Sequence, residues 1–216
     1  MTFFGFRFKE MILVQCKNMA TKKMMKLSDM NVNAIQFAIP RTLSNGMKMV
    51  DVAFADGKPI IFQTRKLVAP WGVSTQYKQT DKFELTLLPT QELMDCLHSI
   101  EAKVVDHMFA NQHILGIASK SNEQIWEKLS SSLKTDKHGV KIVPKLDKNT
   151  RIFNADNNQV ESSAVSKQSQ NYVLLHIPSI WVTNGRFGIS FRVKQIQTFP
   201  HVENKISEFA LVPMDE

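Results

Sequence analysis

Aromatic and basic residues fall together at two places in this chain, and that pairing suits the binding of unpaired nucleotides. In the first, Arg65, Lys66, Lys78 and Lys82 bracket Trp71 and Tyr77 within eighteen residues. In the second, YVLLHIPSIWVTNGRFGISFRVK (residues 172–194), alternate positions carry Trp181, Arg186, Arg192 and Lys194 around the bare Gly188. A base stacked on an aromatic ring gains about 1–3 kcal/mol, and each Lys or Arg on a phosphate adds a salt-dependent term. A third run, residues 134–151, holds six Lys/Arg, among them Lys134, Lys137, Lys141 and Lys145, against Asp136 and Asp147. Each feature has a plainer alternative. Trp71 would cap the end of a barrel, Tyr77 would pack on a helix, and the second cluster would be a solvated sheet face with one partly buried Trp.

Catalytic patterns are weaker. The histidines are scattered, and Cys96-Leu97-His98 lacks a second ligand pair at zinc-site spacing. His98 and His107 are nine residues apart, not the four that puts two ligands on one helical face. There is no phosphate-binding glycine loop, dinucleotide fingerprint or nucleophile elbow. Glu101-Ala102-Lys103 resembles the acid-x-lysine element of metal nucleases, but it lies in a helical period where the two side chains diverge by about 200°. No enzyme, cofactor or metal site is expected.

The second cluster needs a hairpin to position it. Asn184-Gly185 suits a two-residue turn, which would set Thr183 opposite Arg186, Trp181 opposite Gly188, Ser179 opposite Ser190 and Ile177 opposite Arg192. Straight alternation then gives a core face of Tyr172, Leu174, Ile180, Val182, Phe187, Ile189, Phe191 and Val193. Upstream, Val32–Ala38 is a short strand ended by Pro40. A second hairpin turns at Asp56-Gly57, with Val50, Val52, Phe54 and Ile61 inward and Asp51, Lys58, Thr64 and Lys66 outward. Pro70-Trp71-Gly72 sits in a loop, followed by a strand over Lys82–Leu88.

From Thr90 the period becomes helical, through Leu93, Leu97, Ile100, Val104, Met108 and Ile114/Leu115 to Gly116, with Thr90 as cap. A second helix is expected from Ser121 to about Leu133, with Trp126 in the core. Val140–Val143 is a short strand, and residues 154–170 a mobile loop around a strand near Val160. Strands, helices and strands again predict an α+β domain. An OB-type antiparallel β-barrel with a helical insertion fits this order, and a β-sandwich with a helical flap is the alternative.

At 216 residues and 43% hydrophobic, the chain is sized for one globular domain with a substantial core. No apolar run is long enough to span a bilayer. The net charge of +7 is unevenly placed: residues 58–82 are basic, whereas 90–128 hold six acids against Lys103, Lys120 and Lys128. This predicts a positive surface apart from a mildly acidic helical one, the field that attracts polyanions. Residues 1–26 hold six Lys/Arg against Glu10 and lack the order of a secretory signal; they are either an organelle presequence or a disordered basic arm that touches phosphates. Two cysteines, Cys16 and Cys96, fit a reducing compartment such as cytosol or nucleus.

The strings KLSDMNVNAIQFAIP, IIFQT, APWGVS and IWVTNGRFGISFRVKQI, in that order around a helical centre, resemble the single-stranded DNA-binding proteins of nucleocytoplasmic large DNA viruses. These are similar to phage replication single-stranded DNA-binding proteins with an OB fold. The resemblance covers roughly residues 26–198. It implies a domain over 27–200 with its helical insertion at about 90–133, an N-terminal arm over 1–26 and a tail over 201–216. It also implies a non-catalytic protein that coats exposed strands in DNA replication, repair or recombination, at viral replication sites in host cytoplasm or nucleus. The matched strings point to Gln63-Thr64, Pro70-Trp71-Gly72, Trp181 and Lys194. Expected partners are single-stranded DNA, with RNA left open, replication proteins and further copies of the chain, and no membrane. Phage members end in a strongly acidic tail with a terminal aromatic; this chain departs from that pattern in ending Pro213-Met214-Asp215-Glu216. The alternative is a scaffold of the same fold whose basic face binds an acidic protein.

Overall fold

The computed structural model describes residues 24–73, 83–119, 121–146 and 148–201. Residues 1–23 of the basic arm, the tail beyond His201, and Tyr77, Lys78 and Lys82 lie outside this set. In chain order the first strands are β1 (Ile35–Phe37), β2 (Arg41–Thr42), β3 (Lys48–Phe54), β4 (Ile60–Gln63), β5 (Leu67–Ala69) and β6 (Phe83–Glu84). Helices Gln91–Ala110, Gln112–Leu115 and Asn122–Trp126 follow. Then come β7 (Leu129–Ser130), β8 (Lys134–Asp136), β9 (Gly139–Lys141), β10 (Lys145–Leu146), β11 (Arg151–Phe153) and β12 (Gln159–Val160). The last four are β13 (Ser169–Ile177), β14 (Ser179–Thr183), β15 (Arg186–Ile189) and β16 (Arg192–Phe199).

The class is the expected α+β, with its helices inserted between strands. It is built as two open mixed sheets. One runs β1-β3-β14-β15-β7, with β2 on β3. The other centres on β13, which pairs with β16 on one edge and with β4 and β5 on the other, while β11 and β10 lie parallel to β16. The segment from β13 to β14 belongs to both sheets and bends at Pro178. That residue has no N–H for the ladder, but its carbonyl still accepts from Val52 N at 3.1 Å.

The same bend explains two corrections. β14 and β15 pair in the expected register, Thr183 with Arg186 and Trp181 with Gly188. Beyond Pro178 the alternation slips, so Arg192 lies opposite His176 rather than Ile177, and a bulge between Leu174 and Leu175 leaves Lys194 without a partner in the ladder. Val173, Leu175 and Ile177 are therefore the buried apolar residues of β13, on the same face as the buried Ser169 and Asn171, and Tyr172 and Leu174 face outward, not into the core. The turn at Asp56-Gly57 forms, with Phe54 N donating to Lys58 O at 2.9 Å, but its strands then part: β3 pairs with β14 and β4 with β13. Lys58-Pro59 add residues before β4 begins. Ile60, Phe62 and Thr64 consequently point inward, whereas Ile61 was expected there and Thr64 outside.

The long helix begins as expected, Thr90 Oγ1 accepting from Leu93 N at 3.4 Å, and Gly116, at φ 72°, closes the short helix after it. Leu93, Leu97, Ile100, Val104 and Met108 join Phe62 and Phe187 in one buried cluster. The second predicted helix stops at Trp126 instead of Leu133, because Leu129–Ser130 pairs parallel with Phe187–Gly188. Ile125 takes the core position and Trp126 is 41% exposed, against expectation. The expected strand near residue 140 is the second arm of the β8–β9 hairpin. Residues 154–170, expected as a mobile loop, form the turn of the β11–β12 hairpin, β12 itself and a 3-10 turn over Ser162–Ala164.

Candidate nucleic-acid interface

Trp181 stands in the middle of β14, where its Cα partner Gly188 leaves room for the indole. A Cβ on Gly188 would lie 2.6 Å from Trp181 Cζ2 and 3.0 Å from Ser130 O, so the ring packs directly against bare backbone. Around it is a groove of about 280 Å³ whose walls include Lys134, Lys145, Arg192 and Phe191. Lys145 reaches this place because β10 runs parallel to β16 and pairs with Arg192; Lys134 Nζ donates to Ser130 Oγ at 3.1 Å, and Ser130 pairs with Gly188. Three of the expected cations and one expected aromatic thus converge from two segments, 134–145 and 181–192, that are well separated in sequence. Phe191, expected in the core, packs against it only in part and forms one side of the groove.

The wall over Ser130–Ser132 is held by a group that the sequence did not reveal. Glu101, 1% exposed on the long helix, accepts from Ser131 Oγ at 3.1 Å and from Ser132 N at 2.5 Å. Lys103 turns elsewhere, donating to Asn33 O at 2.5 Å, so the acid and the lysine share no site.

Trp71 occupies a second position. Pro70 and Gly72 are buried while the indole between them is 48% exposed. Gly72 is at φ 68°, and a Cβ there would meet Val165 O at 2.4 Å, which ties the loop down on either side of the ring. Lys141 Nζ lies 5.3 Å from the centre of the Trp71 ring and also pairs with Asp136; His138 meets that ring edge-on at 6.0 Å.

The other expected contacts are dispersed. Arg65 pairs with Glu92 at 2.6 Å. Arg186 is exposed beside the Asn184-Gly185 turn, and Lys137 is exposed at the tip of the β8–β9 hairpin, and neither lines the Trp181 groove. Lys194 is half-buried in the bulge of β16. Lys66 Nζ lies 4.0 Å from the Phe199 ring centre and 5.6 Å from that of Tyr172. Thr64, implied by the resemblance, is 3% exposed; its Oγ1 accepts from Val173 N at 3.2 Å, a sheet contact, while its neighbour Gln63 is exposed.

Electrostatically the region is positive. Burial pushes the half-buried His176 imidazole down to about 4, and the nearby charges of Lys194 and Arg192 push it further the same way. Among the described residues no three His, Cys, Asp or Glu side chains gather as a metal-ligand set. Cys96, half-buried with Sγ 3.5 Å from Met30 Sδ, has its thiol raised to about 11 by burial and by Glu92.

No family model matches the chain, and no curated protein does. Among solved structures it is similar to the single-stranded DNA-binding protein from bacteriophage Enc34 in complex with ssDNA, at 12% identity and a TM-score of 0.41, over 78% of this chain and 97% of that one. A second structure, of the single-stranded DNA-binding protein from bacteriophage Enc34, gives 11% identity and a TM-score of 0.39, over 80% and 96%.

Proposed function

We propose that this chain is a non-enzymatic protein that binds single-stranded DNA with little regard for sequence. It would coat exposed strands during replication, repair or recombination, as the resemblance to the proteins of nucleocytoplasmic large DNA viruses suggests, at viral replication sites in host cytoplasm or nucleus. The observation that carries the reading is the groove in which Trp181 lies against bare backbone between Lys134, Lys145 and Arg192. An unpaired base finds a π-face there, and its flanking phosphates find cations around it. Trp71 with Lys141 and His138 offers the same pairing a second time.

Affinity should fall steeply with salt, the logarithm of the binding constant declining by about 0.7 per phosphate neutralised for each decade of salt. The test is a titration of a labelled oligothymidylate at low and moderate salt, with Trp181→Ala beside the wild type and equal-length duplex and RNA as competitors. The variant should bind about tenfold more weakly while melting as a folded protein. Absence of binding by the wild type at low salt defeats the reading. Loss of folding in the variant without loss of affinity would make Trp181 a core residue.

A further inference from the structure

The outward slip of β13 leaves an open face that the groove does not account for. Leu175 and Val193 are buried, so their neighbours His176 and Arg192 point outward, as do Leu174 with Gln195 and Tyr172 with Gln197. At the far end Phe199 meets Tyr172 edge-on, ring centres 5.8 Å apart, and Lys66 reaches over both rings from the loop before β5. Gln197 Nε2 donates to Asn157 Oδ1 at 2.9 Å and fixes the β11–β12 turn at the margin of this face. Arg192 belongs to both places, for it also lines the Trp181 groove.

We infer that Tyr172, Phe199 and Lys66 form a second subsite for the same single strand, joined to the Trp181 groove along the outer face of β13 and β16. This rests on the reading that the groove binds single-stranded DNA. From Arg192 to Phe199 the strand rises about 23 Å, a span that several nucleotides of one chain cover and a single base does not. A base laid on Tyr172 or Phe199 displaces the ammonium of Lys66 from the ring face, and the lysine then meets the adjoining phosphate. Gln195 and Leu174 between the two ends present no acid to repel the backbone, and Arg192 with Lys194 keeps the junction positive. The second contact on one strand acts at high effective concentration, so its effect appears only with strands long enough to span both subsites.

The experiment measures affinity for oligothymidylates from about five to about twenty nucleotides, a range covering the usual footprint of such domains. The proteins are the wild type, Lys66→Glu, and Lys66→Ala combined with Tyr172→Thr, each checked by thermal melting. The expected result is that both variants lose about tenfold or more on the long strands and stay within about twofold of wild type on the short ones. If both bind the long strands as the wild type does, the second subsite does not exist and the groove stands alone. If the wild type binds no oligothymidylate at any length, the reading of the groove fails first. Lys66→Glu keeps the test decisive should the double variant unfold, because Lys66 is an exposed residue.

Discussion

Gly188 and Trp181 are matched as bare backbone and covering ring: the position where a methyl would sit on Gly188 is 2.6 Å from Cζ2 and 2.8 Å from Cε2 of the indole. The flexible neighbour cannot simply yield, since Ser130 O closes the same space at 3.0 Å. Gly188→Ala should therefore destabilise the protein by about 1–3 kcal/mol, the usual cost of overpacking, and shift the tryptophan emission as the ring is displaced. Urea denaturation followed by fluorescence measures both. An alanine variant of unchanged midpoint and spectrum would show that the contact is slack.

Glu101 should be costly to replace although it lies on a helix whose job is to cover the core. Its carboxylate is buried and takes hydrogen bonds from Ser131 Oγ and Ser132 N. Hydrogen bonds to a charged group are worth about 1.5–3 kcal/mol each, so Glu101→Gln, which turns an acceptor into a donor, should lower the unfolding free energy by about 2 kcal/mol or more. It should also loosen the groove wall. A stability loss under about 0.5 kcal/mol in chemical denaturation would show that the loop holds itself.

His176 predicts a pH dependence with a definite sign. Its imidazole titrates near 4 in the folded state and near 6.5 when unperturbed, chiefly because burial disfavours the charged form. Between those values the unfolded chain holds more protons at this position than the folded one. The contribution of His176 is thus complete above about pH 6.5 and is lost as the solution is acidified towards pH 4. His176→Gln, which has no proton to gain, should flatten the stability curve in that window. Equal slopes for variant and wild type in melts between those pH values would remove His176 as the cause.

The parts legible in the sequence are those governed by local chemistry. Asn184-Gly185 set the turn, so the pairing of Trp181 with Gly188 followed by counting; Thr90, the apolar period after it and Gly116 marked the first helical stretch. Counting failed at Pro178, where a proline inside an otherwise regular period changes which side chains face inward, and Tyr172 was misplaced as a result. Trp126 was misplaced for a different reason. Its helix is cut short by a parallel pairing between residues almost sixty apart, and no local period records that. The groove itself was legible only as scattered lysines, because Lys145 comes to it through the pairing of β10 with β16, and Lys134 through Ser130 and the pairing of β7 with β15. Glu101 gave no local signal: its role depends on Ser131 and Ser132, thirty residues later.

The β8–β9 hairpin touches the surroundings of two indoles, Lys134 bordering the half-buried Trp181 and Lys141 resting on the exposed Trp71. Its two arms are therefore yoked: whatever pulls Lys141 away from Trp71 tugs on the arm that walls Trp181. The physical link is the cross-strand pairing of Lys134 with Lys141.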